Sequence, residues 1–473
     1  MKLKRNTLMI RARAKIALLP YAFIILTAIF ISFVTDIRSI WITVESYPLG
    51  KALLVFSQVF FAIHLLIFIW RVVLCLKYKP ARPCTNEELP SCTVIVPAYN
   101  EGRQVFDTIK SIAQSDYPPE KMYIIAVDDG SSDDTWYWLH QAEKELHGRV
   151  QLFKQPVNRG KRHALYLGFK QGQGDVYVTI DSDSIVEPQT IRNLVSPFIR
   201  NDRVGAVAGN VSILNHKEGI IPRMLEVSFA FSFDFLRAGQ SVINSVMCTP
   251  GALSAYRREV VLNVLFEWLN QKFCGKPANI GEDRAMTNLI LRNGFYVHYQ
   301  RDAVVHTTCP VTFGKLWKML LRWARSNIRE TIVITRFVFR KFRNDGALGL
   351  RINVLINLIN LTVGQVMHVS AIGLLICMPL IIGPKMILGA ALASCAPGIF
   401  YAARYKSDKA IWAFPYSFFW MACLSWISFY ALMTPHKNGW MTRDLKTKDT
   451  HPSWPTSPEK GPFTVPHPLQ KAA

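Results

Sequence analysis

The stretch Val176-Tyr177-Val178-Thr179-Ile180-Asp181-Ser182-Asp183 runs from apolar, β-branched residues straight into two carboxylates one residue apart. Such a pair can hold a hard divalent cation, Mg²⁺ or Mn²⁺, and the cation can bridge diphosphate oxygens. Asp-Ser-Asp is also ordinary turn chemistry, so the pair gains weight only from its company. Three further stretches supply that company. In Asp128-Asp129-Gly130-Ser131-Ser132-Asp133, Asp129 could accept hydrogen bonds from a base or ribose. In Asn158-Arg159-Gly160-Lys161-Arg162, Lys161 and Arg162 could neutralise a diphosphate beside a glycine that allows close backbone approach. Ile280-Gly281-Glu282-Asp283-Arg284 puts carboxylates at a helix start. An acid there is often only a cap, but in a sugar-transfer pocket it could deprotonate an acceptor hydroxyl.

These stretches need a scaffold, and the pattern supplies one. Short β-rich runs at 93–96, 123–127, 150–153, 176–180 and 204–208 alternate with helix-like segments. That alternation predicts a Rossmann-like α/β domain with a mostly parallel sheet over 83–310. Four consecutive strands end in polar loops, the first of them Pro97-Ala98-Tyr99-Asn100-Glu101-Gly102. Ligands of open α/β sheets collect at the carboxyl ends of the strands. Four such ends together point to a nucleotide-diphosphate crevice.

The flanks are of a different kind. The formal net charge is +22, but the basic residues border long apolar runs. A lipid bilayer and anionic substrates therefore fit better than nucleic acid. Runs at 16–34 and 52–70 predict a transmembrane hairpin within 1–82, its N-terminus cytoplasmic because residues 1–15 are basic and lack acids. The domain that follows is then cytoplasmic, under a multi-pass cell membrane protein. Nine scattered cysteines without a CxxC pair suit a reducing compartment and argue against a zinc site. Within 311–350, interfacial amphipathic helices are expected. Trp317, Leu320, Leu321, Ala324 and Ile328 make an apolar stripe there, and Arg322, Arg325 and Arg329 share another face. Trp323 lies off the stripe, free to stack on a sugar, and 220–236 is a second, phenylalanine-rich candidate interfacial helix. Membrane character returns at 353–382, 386–403 and 410–434, with the link near Lys385 as the outside loop. Pro415, Ser417, Ser425 and Ser428 mark 410–434 as re-entrant, within a C-terminal membrane region 351–434. A cytoplasmic tail, 435–473, follows.

Asp128-Asp129-Gly130-Ser131, Gly160-Lys161-Arg162, Asp181-Ser182-Asp183, Gly281-Glu282-Asp283 and Arg322-Trp323 occur in that order. In this the chain resembles the processive family-2 glycosyltransferases of GT-A fold, above all class I hyaluronan synthases and chitin and nodulation chitooligosaccharide synthases. The resemblance implies inverting transfer from a UDP-sugar to a growing polysaccharide, moved through the membrane helices. By position, Glu101, Asp129, Lys161, Arg162, Asp181, Arg322, Trp440 and Arg443 would bind the nucleotide-sugar. Asp181 and Asp183 would hold the metal, Asp283 would be the base, and Cys248 and Trp323 would meet the acceptor. Trp440-Met441-Thr442-Arg443 is similar to a gating loop that closes over the nucleotide. The chain departs from the family at Met319, usually glutamine, and in Thr249-Pro250-Gly251-Ala252, usually richer in glycine. A β-glucan synthase and a non-processive lipid glycosyltransferase are the alternative enzymes. A transporter or scaffold with a degenerate nucleotide domain would have lost the carboxylates. The sugars used and any accessory export proteins stay unassigned at this level.

Overall fold

A computed structural model describes residues 16–30 and 50–437. The central sheet has eight strands: β1 (Cys92–Ala98), β2 (Met122–Asp128), β3 (Val150–Lys154), β4 (Val176–Ile180), β5 (Ser184–Val186), β6 (Val204–Ile213), β7 (Leu253–Arg257) and β10 (Tyr296–Thr307). β8 (Lys272–Phe273) and β9 (Lys276–Pro277) form a separate small hairpin. The order across the sheet is β3-β2-β1-β4-β7-β6-β10-β5. β1 pairs in parallel with β2 and β4, β2 with β3, and β6 with β10. All five strands expected from the sequence are present.

Successive strand residues point to opposite faces, and both faces are covered. Val94, Val96, Val178 and Ile180 pack with Val105, Ile109, Leu194 and Phe198 on one side. Ile95 and Tyr177 pack with Leu165, Phe169, Trp268 and Ile290 on the other. That two-sided burial explains why the strands read as continuous apolar runs.

β7 was not anticipated. It runs antiparallel between β4 and β6, so the sheet is mixed at its centre. Its direction brings the segment before it, Cys248 to Ala252, to the same edge as the carboxyl end of β4.

Among the described residues, three helices have the length and hydropathy to cross a membrane: Gly50–Lys77, Leu348–Cys377 (which breaks at Thr362) and Pro379–Tyr405. Ile16–Phe30 is apolar but shorter. The expected loop near Lys385 is corrected: Lys385 lies inside Pro379–Tyr405, and the turn is at Met378. Pro379 explains the shift, because proline is preorganised for the first turn of a helix. The expected re-entrant stretch is a bent pair, Asp408–Leu424 and Trp426–Met433, at 44°.

Helix Phe313–Val338 also differs from expectation. Arg325 and Arg329 do not share an exposed basic face; both are buried. The Arg325 Nε and Nη2 atoms donate to Thr434 Oγ1, and Arg329 donates to the Ile280 and Pro435 carbonyls. Trp317 meets Trp426 and Phe313 meets Phe419, so the bent pair covers this helix. The phenylalanine-rich stretch is helical from Ile220 to Val242, with a π-type turn over Ala230–Phe235.

Candidate active site

A cavity of about 300 Å³ opens at the carboxyl ends of β1, β2 and β4. Glu101, Asp129, Lys161, Asp181, Asp183, Cys248, Asp283, Arg322 and Trp323 all line it. Residues separated by more than 200 positions thus meet in one place.

At one end lie Asp129, Lys161 and Asp181. The Asp129 carboxylate accepts from the Arg159 and Gly160 backbone N–H groups, at 3.0 and 2.8 Å. It therefore shapes the loop before Lys161 as well as facing the cavity. Burial pushes its carboxyl up to about 6, although both N–H donors favour the charged form. Lys161 begins helix Lys161–Gln171, and its ammonium touches Asp181 and lies 3.5 Å from Glu282 Oε1. Those two carboxylates hold it protonated despite burial. Gly251 closes this end. A Cβ there would come within 2.5 Å of the Lys161 ammonium, which would have to shift from its place beside Asp181.

Asp183 lines the cavity beside Asp181. Its Oδ1 accepts from the Ser184 and Thr307 hydroxyls at 3.2 Å, and its Oδ2 from Thr308 at 3.4 Å. Among the described residues, no three His, Cys, Asp or Glu side chains gather as a closed metal cage. Asp181 and Asp183 are an all-oxygen but incomplete set. That fits a hard cation which leaves positions open for diphosphate oxygens and water.

Asp283 sits in the first turn of helix Glu282–Arg292. Gly281 before it is left-handed (φ +78°) and packs against Ser326 of helix Phe313–Val338, leaving no room for a side chain. Burial, reinforced by the neighbouring Glu282, holds the Asp283 carboxyl above its ordinary range. Its Oδ1 accepts from the Arg284 backbone N–H at 2.8 Å. Its Oδ2 lies 3.6 Å from the Cys248 thiol, which burial keeps protonated by raising it to about 11.

Beyond Asp283 the cavity turns aromatic. Trp323 is 38 % exposed, and its ring centroid is 5.8 Å from that of Phe229. Phe233 and Arg237 follow on the same helical stretch and also line the cavity. Sequence reasoning noted the phenylalanines but not their place. The signal was there: Phe229, Phe233 and Arg237 recur at steps of four. Met319, the departure noted above, is buried and lines the cavity too.

Arg162 is corrected. Its guanidinium points into the interior, donating to the Trp268 carbonyl and to Gln271 Oε1. It is absent from the cavity wall. Residues 161 and 162 sit about 100° apart on a helix, so one faces the ligand and the other the core. Trp440 and Arg443 lie outside the described residues.

Fold and site together define a GT-A-type domain with a cavity suited to a sugar nucleotide. Residues 90–326 match the glycosyltransferase-like family 2, and the chain belongs to that family. It is 35% identical over 253 residues to an N-acetylglucosaminyltransferase of Mesorhizobium japonicum, covering 53% of this chain and 59% of that protein. It is 31% identical over 312 residues to a hyaluronan synthase of Streptococcus pyogenes, covering 65% of this chain and 72% of that protein. The match thus spans less than two thirds of the first relative and more of the second. The fold is similar to a mannosyltransferase from Pyrobaculum calidifontis solved with GDP-Man and Mn²⁺, with a TM-score of 0.54 at 23% identity. That likeness covers 74% of this chain and 92% of the other.

Proposed function

We propose that the protein is a membrane-embedded, processive, inverting β-glycosyltransferase. It extends a GlcNAc-containing or hyaluronan-like polysaccharide from UDP-sugars and passes the chain through its membrane helices. The observation that carries this is Asp283, set in one cavity between the Lys161–Asp181 pair and the Trp323–Phe229 aromatic pair. The similarity to an N-acetylglucosaminyltransferase and a hyaluronan synthase supports the choice of sugars.

The UDP diphosphate lies against Lys161, with Glu101, Asp129 and Arg322 around the nucleotide. Asp183 and Asp181 would hold Mg²⁺ or Mn²⁺, which when bound offsets charge on the leaving diphosphate. Trp323 stacks on the acceptor ring and orients its hydroxyl toward Asp283. The Asp283 carboxylate takes the hydroxyl proton as that oxygen bonds to the anomeric carbon. The bond from that carbon to the UDP oxygen breaks on the opposite face, and the configuration inverts. Trp440 and Arg443, which lie outside the described residues, would close over the nucleotide.

The catalytic domain lies on the cytoplasmic face. Both ends of the bent pair meet that domain: Lys409 pairs with Glu226 at 2.9 Å, and Thr434 is held by Arg325. That supports a re-entrant segment. Product analysis tests the whole reading: purified protein is incubated with UDP-GlcNAc, UDP-glucuronate and UDP-glucose, singly and in pairs. Long polymer from UDP-GlcNAc, alone or paired with UDP-glucuronate, is the expected outcome, whereas long polymer from UDP-glucose alone would make the protein a β-glucan synthase. A single added sugar on lipid would replace this reading with a non-processive one.

A further inference from the structure

Arg162, expected at the diphosphate, is buried instead, so its charge needs another account. It donates to the Trp268 carbonyl, and its guanidinium lies 5.1 Å from the centroid of the Trp268 ring. Both of its Nη atoms also donate to Gln271 Oε1, at 3.1 Å. Gln271 Nε2 donates onward to Glu330 Oε1 at 2.9 Å. Glu330 is buried as well, and its Oε2 accepts from Asn288 Nδ2 at 2.9 Å. One side-chain amide thus links a buried cation to a buried anion. Apolar residues of similar volume often serve stability as well as a buried pair does, so stability alone does not account for it.

Geometry does. The network joins the backs of three elements whose fronts line the cavity. Arg162 follows Lys161 on helix Lys161–Gln171. Asn288 shares helix Glu282–Arg292 with Asp283. Glu330 lies two turns beyond Trp323 on helix Phe313–Val338. Trp268 makes the closest tie of all. Its indole N–H donates to the Glu282 carbonyl at 2.8 Å, on the peptide that leads into Asp283. Its own carbonyl holds Arg162, the residue next to Lys161. Trp268, Lys161 and Asp283 also wall one small space of about 10 Å³ behind the main cavity. A single residue therefore sets the base against the diphosphate lysine, from the side away from substrate. Inverting transfer needs base, acceptor oxygen, anomeric carbon and leaving diphosphate in line. A misplacement of about 1 Å can cost about 10²-fold in rate.

We propose that Trp268, backed by Arg162 and Glu330, is a positioning residue that holds Asp283 in register with Lys161. This rests on the glycosyltransferase reading of the cavity. The plain alternative is core packing, which predicts less folded protein and a lower thermal midpoint, with kcat per folded molecule unchanged.

The test uses the full chain in lipid nanodiscs with whichever of UDP-GlcNAc, UDP-glucuronate and UDP-glucose it turns over. UDP release gives kcat and KM, calorimetry gives UDP affinity, and a melt gives the thermal midpoint. Trp268→Phe keeps an aromatic ring and the carbonyl that holds Arg162, and removes the indole N–H. It should lower kcat about tenfold or more, with donor KM, UDP affinity and thermal midpoint little changed. Arg162→Met removes the other tie and should lower kcat in the same way, again with UDP affinity kept. Because both act through one register, the double variant should lose little more kcat than the worse single variant. Wild-type kcat in Trp268→Phe, or losses that multiply in the double variant, overturns the assignment. Weakened UDP binding in Arg162→Met returns that residue to the nucleotide and overturns it too. Should Arg162→Met fail to fold, Trp268→Phe alone decides. Wild-type protein that releases no UDP from any donor overturns the glycosyltransferase reading instead.

Discussion

Asp283 is suited to a base because its carboxyl is buried beside Glu282, and both effects raise its proton affinity. Asp283→Asn keeps the shape and removes the acceptor, so transfer should fall by about 10²–10⁴-fold while UDP binding is retained. Near-wild-type turnover would remove Asp283 from the mechanism. The pH profile carries the sign of the shift. The base works as a carboxylate, and its affinity for the proton is raised. Activity should therefore fall as pH drops through that raised value, at higher pH than for an ordinary aspartate. An acid limb at the ordinary aspartate position would contradict it. Asp183 lines the cavity beside Asp181, and its oxygens accept from the Thr307 and Thr308 hydroxyls. Asp183→Asn should abolish the Mn²⁺-dependent part of UDP binding, measured by calorimetry with and without metal. Unchanged metal dependence would mean the cation lies elsewhere.

At the scale of elements, helix Phe313–Val338 serves two neighbours at once. One side meets Gly281 and Ile280 before the base, and another meets the bent pair through Trp317 and Arg325. Trp323 is left on neither packed side and faces the cavity. Trp323→Ala should therefore weaken elongation strongly while UDP affinity and the thermal midpoint change little. A loss confined to expression or membrane attachment would make it a surface-helix residue. The apolar periodicity of this helix was legible, and so was the oddity of Trp323. The burial of Arg325 and Arg329 was not, because their acceptors are the Thr434 hydroxyl and the Ile280 and Pro435 carbonyls, far away in the chain.

At the scale of the molecule, the helices long and apolar enough to cross a membrane are tied to the glycosyltransferase domain at one end. Tyr78, just after helix Gly50–Lys77, donates to the Tyr299 carbonyl. Arg343, just before helix Leu348–Cys377, bonds the Asn244 carbonyl. Tyr405, at the end of helix Pro379–Tyr405, meets the buried Asp234, which also pairs with Arg301. Met378 then lies one helix length away, about 40 Å for 27 residues. A cysteine label at Met378 should react from outside the cell, and one at Ser457, outside the described residues, from the cytoplasm. Outside labelling at Ser457 would refute both the re-entrant segment and the role of Trp440 and Arg443.

The sequence alone determined the parts governed by local pattern. Apolar runs ending in acids and glycines revealed five strands and the loops that carry Asp129, Lys161 and Asp181, because strand burial and turn chemistry are local. Spacing also set Trp323 apart, and the resemblance to the glycosyltransferases picked Asp283 from the two carboxylates at a helix start. Tertiary structure decided what depends on partners distant in the chain. It turned Arg162 into the core, because adjacent helical residues face different ways. It inserted β7 antiparallel between β4 and β6, bringing Cys248 to Asp283 and Gly251 to Lys161. It left the Arg237 Nη1 buried without a hydrogen-bond partner, since a missing partner can be seen only once every neighbour is in place.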